Sequence, residues 1–249
     1  MKRWAKILGW VVLAALVVAA IGFVIWGLTP LGPGEVALGA LEGTDAVVVS
    51  ETDAGWEFSP RSVDATRALV LYPGGRVDAR SYAPLAAAIA ARGYLVVVPP
   101  MPLSLAVLSP NAADQALESH PEIESWAVGG HSLGGAMAAG YASKNASQLD
   151  ALVLLAAYAS GGSDLSATDL GVLDTYGDLD GVLTMENHAA GKALLPDDAR
   201  EYVIAGGNHA QFGDYGPQPG DNEATISAEQ QWAQTAEQVD ALLATAGGD

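Results

Sequence analysis

The sequence predicts an α/β fold, a doubly wound and mostly parallel sheet, preceded by one N-terminal transmembrane helix. Three observations predict it. Short apolar runs without polar alternation recur along the chain and are separated by Ala-rich helical stretches, the pattern of a parallel sheet covered on both faces. One of these runs leads directly into Gly130-His131-Ser132-Leu133-Gly134 and then into a helix. Residues 7–28 form an uncharged apolar block.

That block reads ILGWVVLAALVVAAIGFVIWGL. As a helix rising about 1.5 Å per residue it reaches roughly 33 Å, enough to cross a hydrocarbon layer about 30 Å thick. Trp4, Trp10 and Trp26 lie towards its ends, where indole rings favour the membrane–water interface. Lys2, Arg3 and Lys6 flank its N-terminal side, and the next basic residue is Arg61. The positive-inside bias then expects residues 1–6 in the cytoplasm and the body on the extracytoplasmic side of the cell membrane. A cleaved signal peptide, giving a secreted body, is the alternative. Its apolar region is usually shorter, and here apolar residues continue past the small residues Ala19 and Ala20. Thr29, Pro30, Gly32, Pro33 and Gly34 begin an expected flexible tether over 29–43, with the folded domain over 44–249.

With 249 residues the chain is long enough to bury a sizeable core. Its 29 acidic residues all follow the apolar block, against eight of the eleven basic ones, so the body carries a net charge of −21. Such a body is repelled by phosphate backbones, which speaks against nucleic-acid binding, and by anionic lipid head groups. Absence of cysteine excludes disulfides, thiolate catalysis and cysteine-ligated metal sites.

Taken in order, 46–50 and 56–58 read as short initial strands separated by the turn-like Thr52-Asp53-Ala54-Gly55. Strand 68–72 ends at Pro73-Gly74-Gly75, helix 81–92 ends at Gly93, and strand 95–98 ends at Pro99-Pro100. A helix over 111–119 is expected to be capped by Asn111. Strand 126–129 and helix 134–143 flank the Ser132 motif, and strands 151–155, 171–176 and 201–205 follow, with a helix at 185–194 between the last two. Helix 227–246 closes the pattern, with Ser227 and Gln230 at capping-box positions.

As a bare pattern Gly-x-Ser-x-Gly arises readily in a Gly-rich chain, so its context decides. A buried strand before it and a helix after it put the serine on a sharp, strained turn with its hydroxyl exposed above the sheet. From about residue 69 to residue 232 the chain resembles the α/β-hydrolase superfamily, and is most similar to its small dienelactone-hydrolase-like members. It departs from dienelactone hydrolases proper in having Ser where they have Cys. The resemblance implies an esterase-like serine hydrolase with Ser132 as nucleophile and a triad in the chain order Ser, acid, His. Among the downstream histidines, His209 follows a strand at the sheet edge where such folds bind ligands, and is preferred to His188, read as a solvated helix residue. His131 is read as packing or as a supporting hydrogen bond, and His120 as a surface residue. Asp180 is the expected acid and Asp178 the runner-up. The amides of Leu133 and Gly75 are the expected oxyanion donors.

No cofactor or metal is called for, and Asp214, Asp221, Asn222 and Glu223 are read as a solvated acidic loop. Residues 156–170 are too few for a lid domain. Met101, Leu103, Leu105, Val107 and Leu108 are expected to wall an acyl site. The expected ligand is a small acyl compound such as an ester or lactone. Acyl transfer, peptide cleavage by the same triad, and ligand binding by a tethered non-catalytic scaffold are the other readings.

Overall fold

The computed structural model describes residues 2–247. Met1, at the head of the expected cytoplasmic segment, and the last two residues of the expected domain lie outside them. Helix α1 spans Lys2–Gly27 and α2 spans Glu35–Ala40. Strands β1 (Val47–Thr52) and β2 (Gly55–Pro60) form a hairpin, and β3 (Arg67–Tyr72), α3 (Ala83–Ala90), β4 (Leu95–Val98) and α4 (Ala113–Ser119) follow. Then come β5 (Ser125–His131), α5 (Leu133–Asn145), β6 (Ala151–Leu155), β7 (Gly171–Gly177), α6 (Met185–Lys192), β8 (Arg200–Ile204) and α7 (Ala228–Leu243).

The eight strands form one sheet in the order β1-β2-β4-β3-β5-β6-β7-β8. The β1–β2 and β2–β4 pairs are antiparallel and every other pair is parallel. Consecutive side chains on a strand point to opposite faces. Leu69, Leu71, Val96, Val153 and Leu173 therefore pack on one face against Leu85 and Ile89 of α3 and Trp232 and Val239 of α7. Val70, Tyr72, Val97, Val128, Leu152 and Leu154 pack on the other against Ala116 of α4 and Ala138 and Tyr141 of α5. Burial on both faces is why these strands lack polar alternation.

Helix ends follow local chemistry. Ser227 and Gln230 form the expected capping box on α7, while Arg67 of β3 donates to the carbonyls of Leu243 and Ala244 at its other end. Asn111 does not cap α4. Helix α4 begins later, and the Tyr72 hydroxyl of β3 takes the Ala113 amide instead, at 2.9 Å.

Helix α1 holds the 22-residue stretch Lys6–Gly27, long and apolar enough to cross a membrane and exposed up to Trp26, with Gly27 buried at its end. The stretch read as a flexible tether, 29–43, is instead packed on the domain. Leu31 pairs with Val77, and Ala37 of α2 is fully buried. Asp214 fastens it: its carbonyl accepts from Gly34 N–H at 2.7 Å, and its Oδ2 accepts from Ala37 N–H at 2.8 Å at the start of α2. Pro and Gly spacing foretold the turns of this segment but carried no sign of a carboxylate some 180 residues downstream. Asp214→Ala should cost about 1–3 kcal/mol by orphaning the Ala37 amide, read as a fall in Tm, with faster hydrogen exchange confined to residues 31–40.

Candidate active site

Ser132 stands between the last residue of β5 and the first of α5, at φ 53° and ψ −122°. Few non-glycine residues hold positive φ, and the surroundings must enforce it. Two features do. The Ser132 amide donates to the Leu155 carbonyl of β6 at 2.9 Å, and its carbonyl already accepts from Ala136 of α5. Gly134 then lets α5 begin directly against the end of β3, because a Cβ there would run into the carbonyl oxygens of Tyr72 and Pro73. The same approach brings Gly75, in the loop after β3, against Leu133: a Cβ on Gly75 would stand 3.1 Å from Leu133 Cδ2. The sequence-predicted residues Leu133 and Gly75 are thus neighbours, and neither amide is engaged elsewhere among the described residues.

His209 follows β8, and Asp180 follows β7, the neighbouring strand. Their side chains are each 1% exposed, and His209 Nδ1 meets Asp180 Oδ2 at 2.8 Å. The other carboxylate oxygen of Asp180 accepts from the amides of Val182 and Leu183 at 2.8 and 2.7 Å, which fixes its rotamer. His209 Nε2 is buried without a hydrogen-bond partner and no hydrogen bond joins it to Ser132, yet both residues wall the same cavity. Asp178, the alternative acid, points elsewhere and accepts from the Gly206 amide at 2.6 Å, bracing the turn that leads to His209.

Two positioning residues escaped the sequence reading. Asp221, expected in a solvated loop, faces inward: Oδ1 accepts from Gly181 and His209 amides at 3.0 and 3.3 Å, and Oδ2 from Ala210 at 2.8 Å. One carboxylate thereby ties the loop of Asp180 to the loop of His209. Gln231, fully buried on α7, clamps Asn208 with an amide-to-amide pair, donating to its carbonyl at 2.9 Å and accepting from its N–H at 3.0 Å. An acidic run and a helical Gln carry no local signal of either role.

His131 supports the loop after β3. Its Nδ1 lies 2.8 Å from the Tyr82 hydroxyl, whose oxygen accepts from the Gly74 amide at 2.8 Å. With that oxygen accepting from Gly74, the phenol proton goes to Nδ1 and the neutral ring carries its own proton on Nε2. Burial, and then the adjacent His209 ring at 4.5 Å between centroids, hold His131 well below the usual imidazole range.

The cavity holding Ser132 and His209 measures about 310 Å³ and is lined by Leu133, Ala136, Met137, Ala156, Ala157, Tyr158, Val182 and Leu183 among others. Its apolar wall comes from α5 and from the loops after β6 and β7. The 100–110 loop, expected to supply that wall, does not reach it: Ala106 packs into the core while Val107 and Leu108 face outward, about half exposed. A larger hollow of about 600 Å³ lies beyond the His209 loop, between Asn208 and the 213–224 segment, and includes neither Ser132 nor His209.

Residues 68–233 match the model of the alpha/beta hydrolase family. The chain belongs to that family. Comparison with curated proteins finds no match. Among solved structures, the chain is similar to a predicted CIB-like hydrolase from Thermoplasma acidophilum, at 14% identity and a TM-score of 0.61, covering 79% of this chain and 100% of that one. It is also similar to the esterase domain of a Rhodothermus marinus protein, at 14% identity and a TM-score of 0.58, covering 81% of this chain and 98% of that one. These two share its fold.

One further polar group lies within this hydrolase. His188, read as a solvated residue of α6, is buried and bonds Asp174 Oδ2 of β7 at 2.7 Å. Asp174, His188 and Glu201 bring potential metal-ligand atoms within 4.8 Å of one another, but the Lys192 ammonium already sits on Glu201 at 2.8 Å. The Asp174 hydrogen bond raises His188 above the usual imidazole range, against the opposing effect of burial. A raised folded-state value makes this contribution to stability full below about pH 6.5, the unfolded value, and lost as pH rises through the folded one. Asp174→Asn is therefore expected to flatten the fall in Tm between pH 6 and pH 8, measured against wild type by thermal denaturation.

Proposed function

We propose that the protein is a serine hydrolase that cleaves carboxylic esters or lactones through an acyl-enzyme on Ser132, held at the membrane by α1 with its catalytic domain on the extracytoplasmic side. The single observation that carries the catalytic part is the arrangement of His209, with Nδ1 on the buried Asp180 carboxylate and Nε2 unpartnered on the wall it shares with Ser132. Nδ1 donating to a carboxylate leaves Nε2 as a base, and an unengaged base beside a hydroxyl is what acyl transfer needs. Catalytic hydrogen bonds are commonly loose before substrate binds.

In this reading His209 Nε2 removes the Ser132 proton as Oγ bonds to the substrate carbonyl carbon. The carbonyl oxygen takes the negative charge and accepts from the Leu133 and Gly75 amides. The carbon–oxygen bond to the alcohol then breaks, and His209 hands that oxygen its proton. Water repeats the sequence on the acyl-enzyme: His209 takes its proton, the acid is released, and Ser132 recovers its hydrogen. Asp180 holds the imidazole in the required tautomer and balances the imidazolium. Asp221 acts only by position. The membrane part rests on the length of the apolar helix and on Lys2, Arg3 and Lys6 before it.

A fluorophosphonate probe should label wild type and not Ser132→Ala. Absence of labelling in folded wild type would overturn the catalytic reading. Against p-nitrophenyl esters, Ser132→Ala and Asp180→Asn should each lower kcat by about four orders of magnitude. Asp221→Ala should lower it by about 10², the loss expected when a reacting group is displaced by about an ångström, with the circular dichroism spectrum unchanged.

A further inference from the structure

The end of the apolar helix is seated on the 100–110 loop, which in turn is bonded to the loop carrying Gly75. Gly27, buried at the end of α1, lies so near Leu103 that a Cβ on it would stand 2.6 Å from Leu103 Cβ. Arg76, next to the oxyanion candidate Gly75, reaches back across this junction. Its guanidinium lies 4.4 Å from the centre of the Trp26 ring and donates to the carbonyls of Trp26 and Thr29 at 3.2 and 2.6 Å. It thus takes carbonyls that the end of an isolated helix leaves without partners. The backbone joins in: Arg76 N–H donates to Ser104, Leu31 N–H to the Arg76 carbonyl, and Asp78 N–H to Leu31. No slack separates helix from domain.

From Trp26 the contacts run through Arg76 and Gly75 to Leu133, the residue after Ser132. If Trp26 lies at the membrane–water interface, the catalytic mouth is held against that interface and cannot swing away. Val107 and Leu108, on the loop that carries Leu103, are 52% and 49% exposed, so that about half of each apolar side chain faces outward. We propose that this loop dips into the lipid surface, and that the substrate is an amphiphilic acyl ester resident in the bilayer leaflet, entering from the membrane side. The acidic body narrows the class further, since a net charge of −21 opposes anionic head groups and favours a neutral ester. The proposal rests on the hydrolase reading and on α1 as a retained anchor.

The test uses the full chain in zwitterionic phosphatidylcholine vesicles, with 4-methylumbelliferyl oleate dispersed in the bilayer and 4-methylumbelliferyl acetate in the water phase. The double variant V107D/L108D is expected to lose at least about tenfold on the oleate, the effect of withdrawing two apolar side chains from an apolar surface. Acetate turnover and fluorophosphonate labelling should stay at wild-type rates. Equal changes on both esters, or none, with labelling intact, would overturn the lipid-surface proposal alone; absent labelling of wild type would end the hydrolase reading and the proposal with it. A second measurement is independent of turnover. The chain has no cysteine, so Val107→Cys and Ser147→Cys each accept one nitrobenzoxadiazole label. Ser147 lies before β6, at the sheet edge opposite Ser132. Vesicles should shift the emission of the label at 107 to the blue and leave that at 147 unchanged; no shift at 107 would refute the docking of the loop.

Discussion

A serine at φ 53° and ψ −122° persists only where the chain on both sides is held more strongly than the turn resists, and the candidate site is arranged around that constraint. Strand β5 is anchored at the centre of the sheet between β3 and β6, and α5 must start at once to cover it. Because α5 begins against the β3 end, the loop 73–76 is packed onto the Leu133 side chain. Tyr82, itself bonded to His131, completes the support by accepting from the Gly74 amide, and the Gly75 amide is unengaged among the described residues.

The opposite wall is held by polar groups. His209 and Asp180 sit on loops after adjacent strands, and loops of this kind bury little apolar surface to fix them. Asp221 supplies the missing order by accepting from amides on both loops, and Gln231 fastens Asn208 to α7. Leaving those amides buried and unpaired would cost more than the hydrogen bonds themselves contribute, so the carboxylate and the carboxamide define where the imidazole can stand. The acidity of this hydrolase therefore has two parts: a solvated face, and a few inward carboxylates that organise backbone.

The junction with α1 follows the same logic. Arg67 caps α7 and Arg76 caps α1, each giving guanidinium donors to carbonyls at a helix end. At α1 the effect is to make a segment rich in Pro and Gly rigid, since Leu31, Gly34 and Ala37 find partners on the domain. The end of the apolar helix and the loop carrying Gly75 are thus joined into a single mechanical unit.

Periodicity and punctuation determined the α/β class, the placement of the eight strands to within a few residues, the apolar helix, and the context of Ser132, because each depends on side chains near one another in the chain. The preference for Asp180 and His209 over Asp178 and His188 came from the family resemblance together with the strand ends, and the folded chain pairs the two. The outward turn of Val107 and Leu108, the burial of His188 against Asp174, the inward turn of Asp221 and the docking of residues 31–40 on Asp214 were decided only in the folded chain. The physical reason is common to all four. A local sequence states which groups need burial or hydrogen bonds, but which distant group meets that need depends on how the helices close over the sheet.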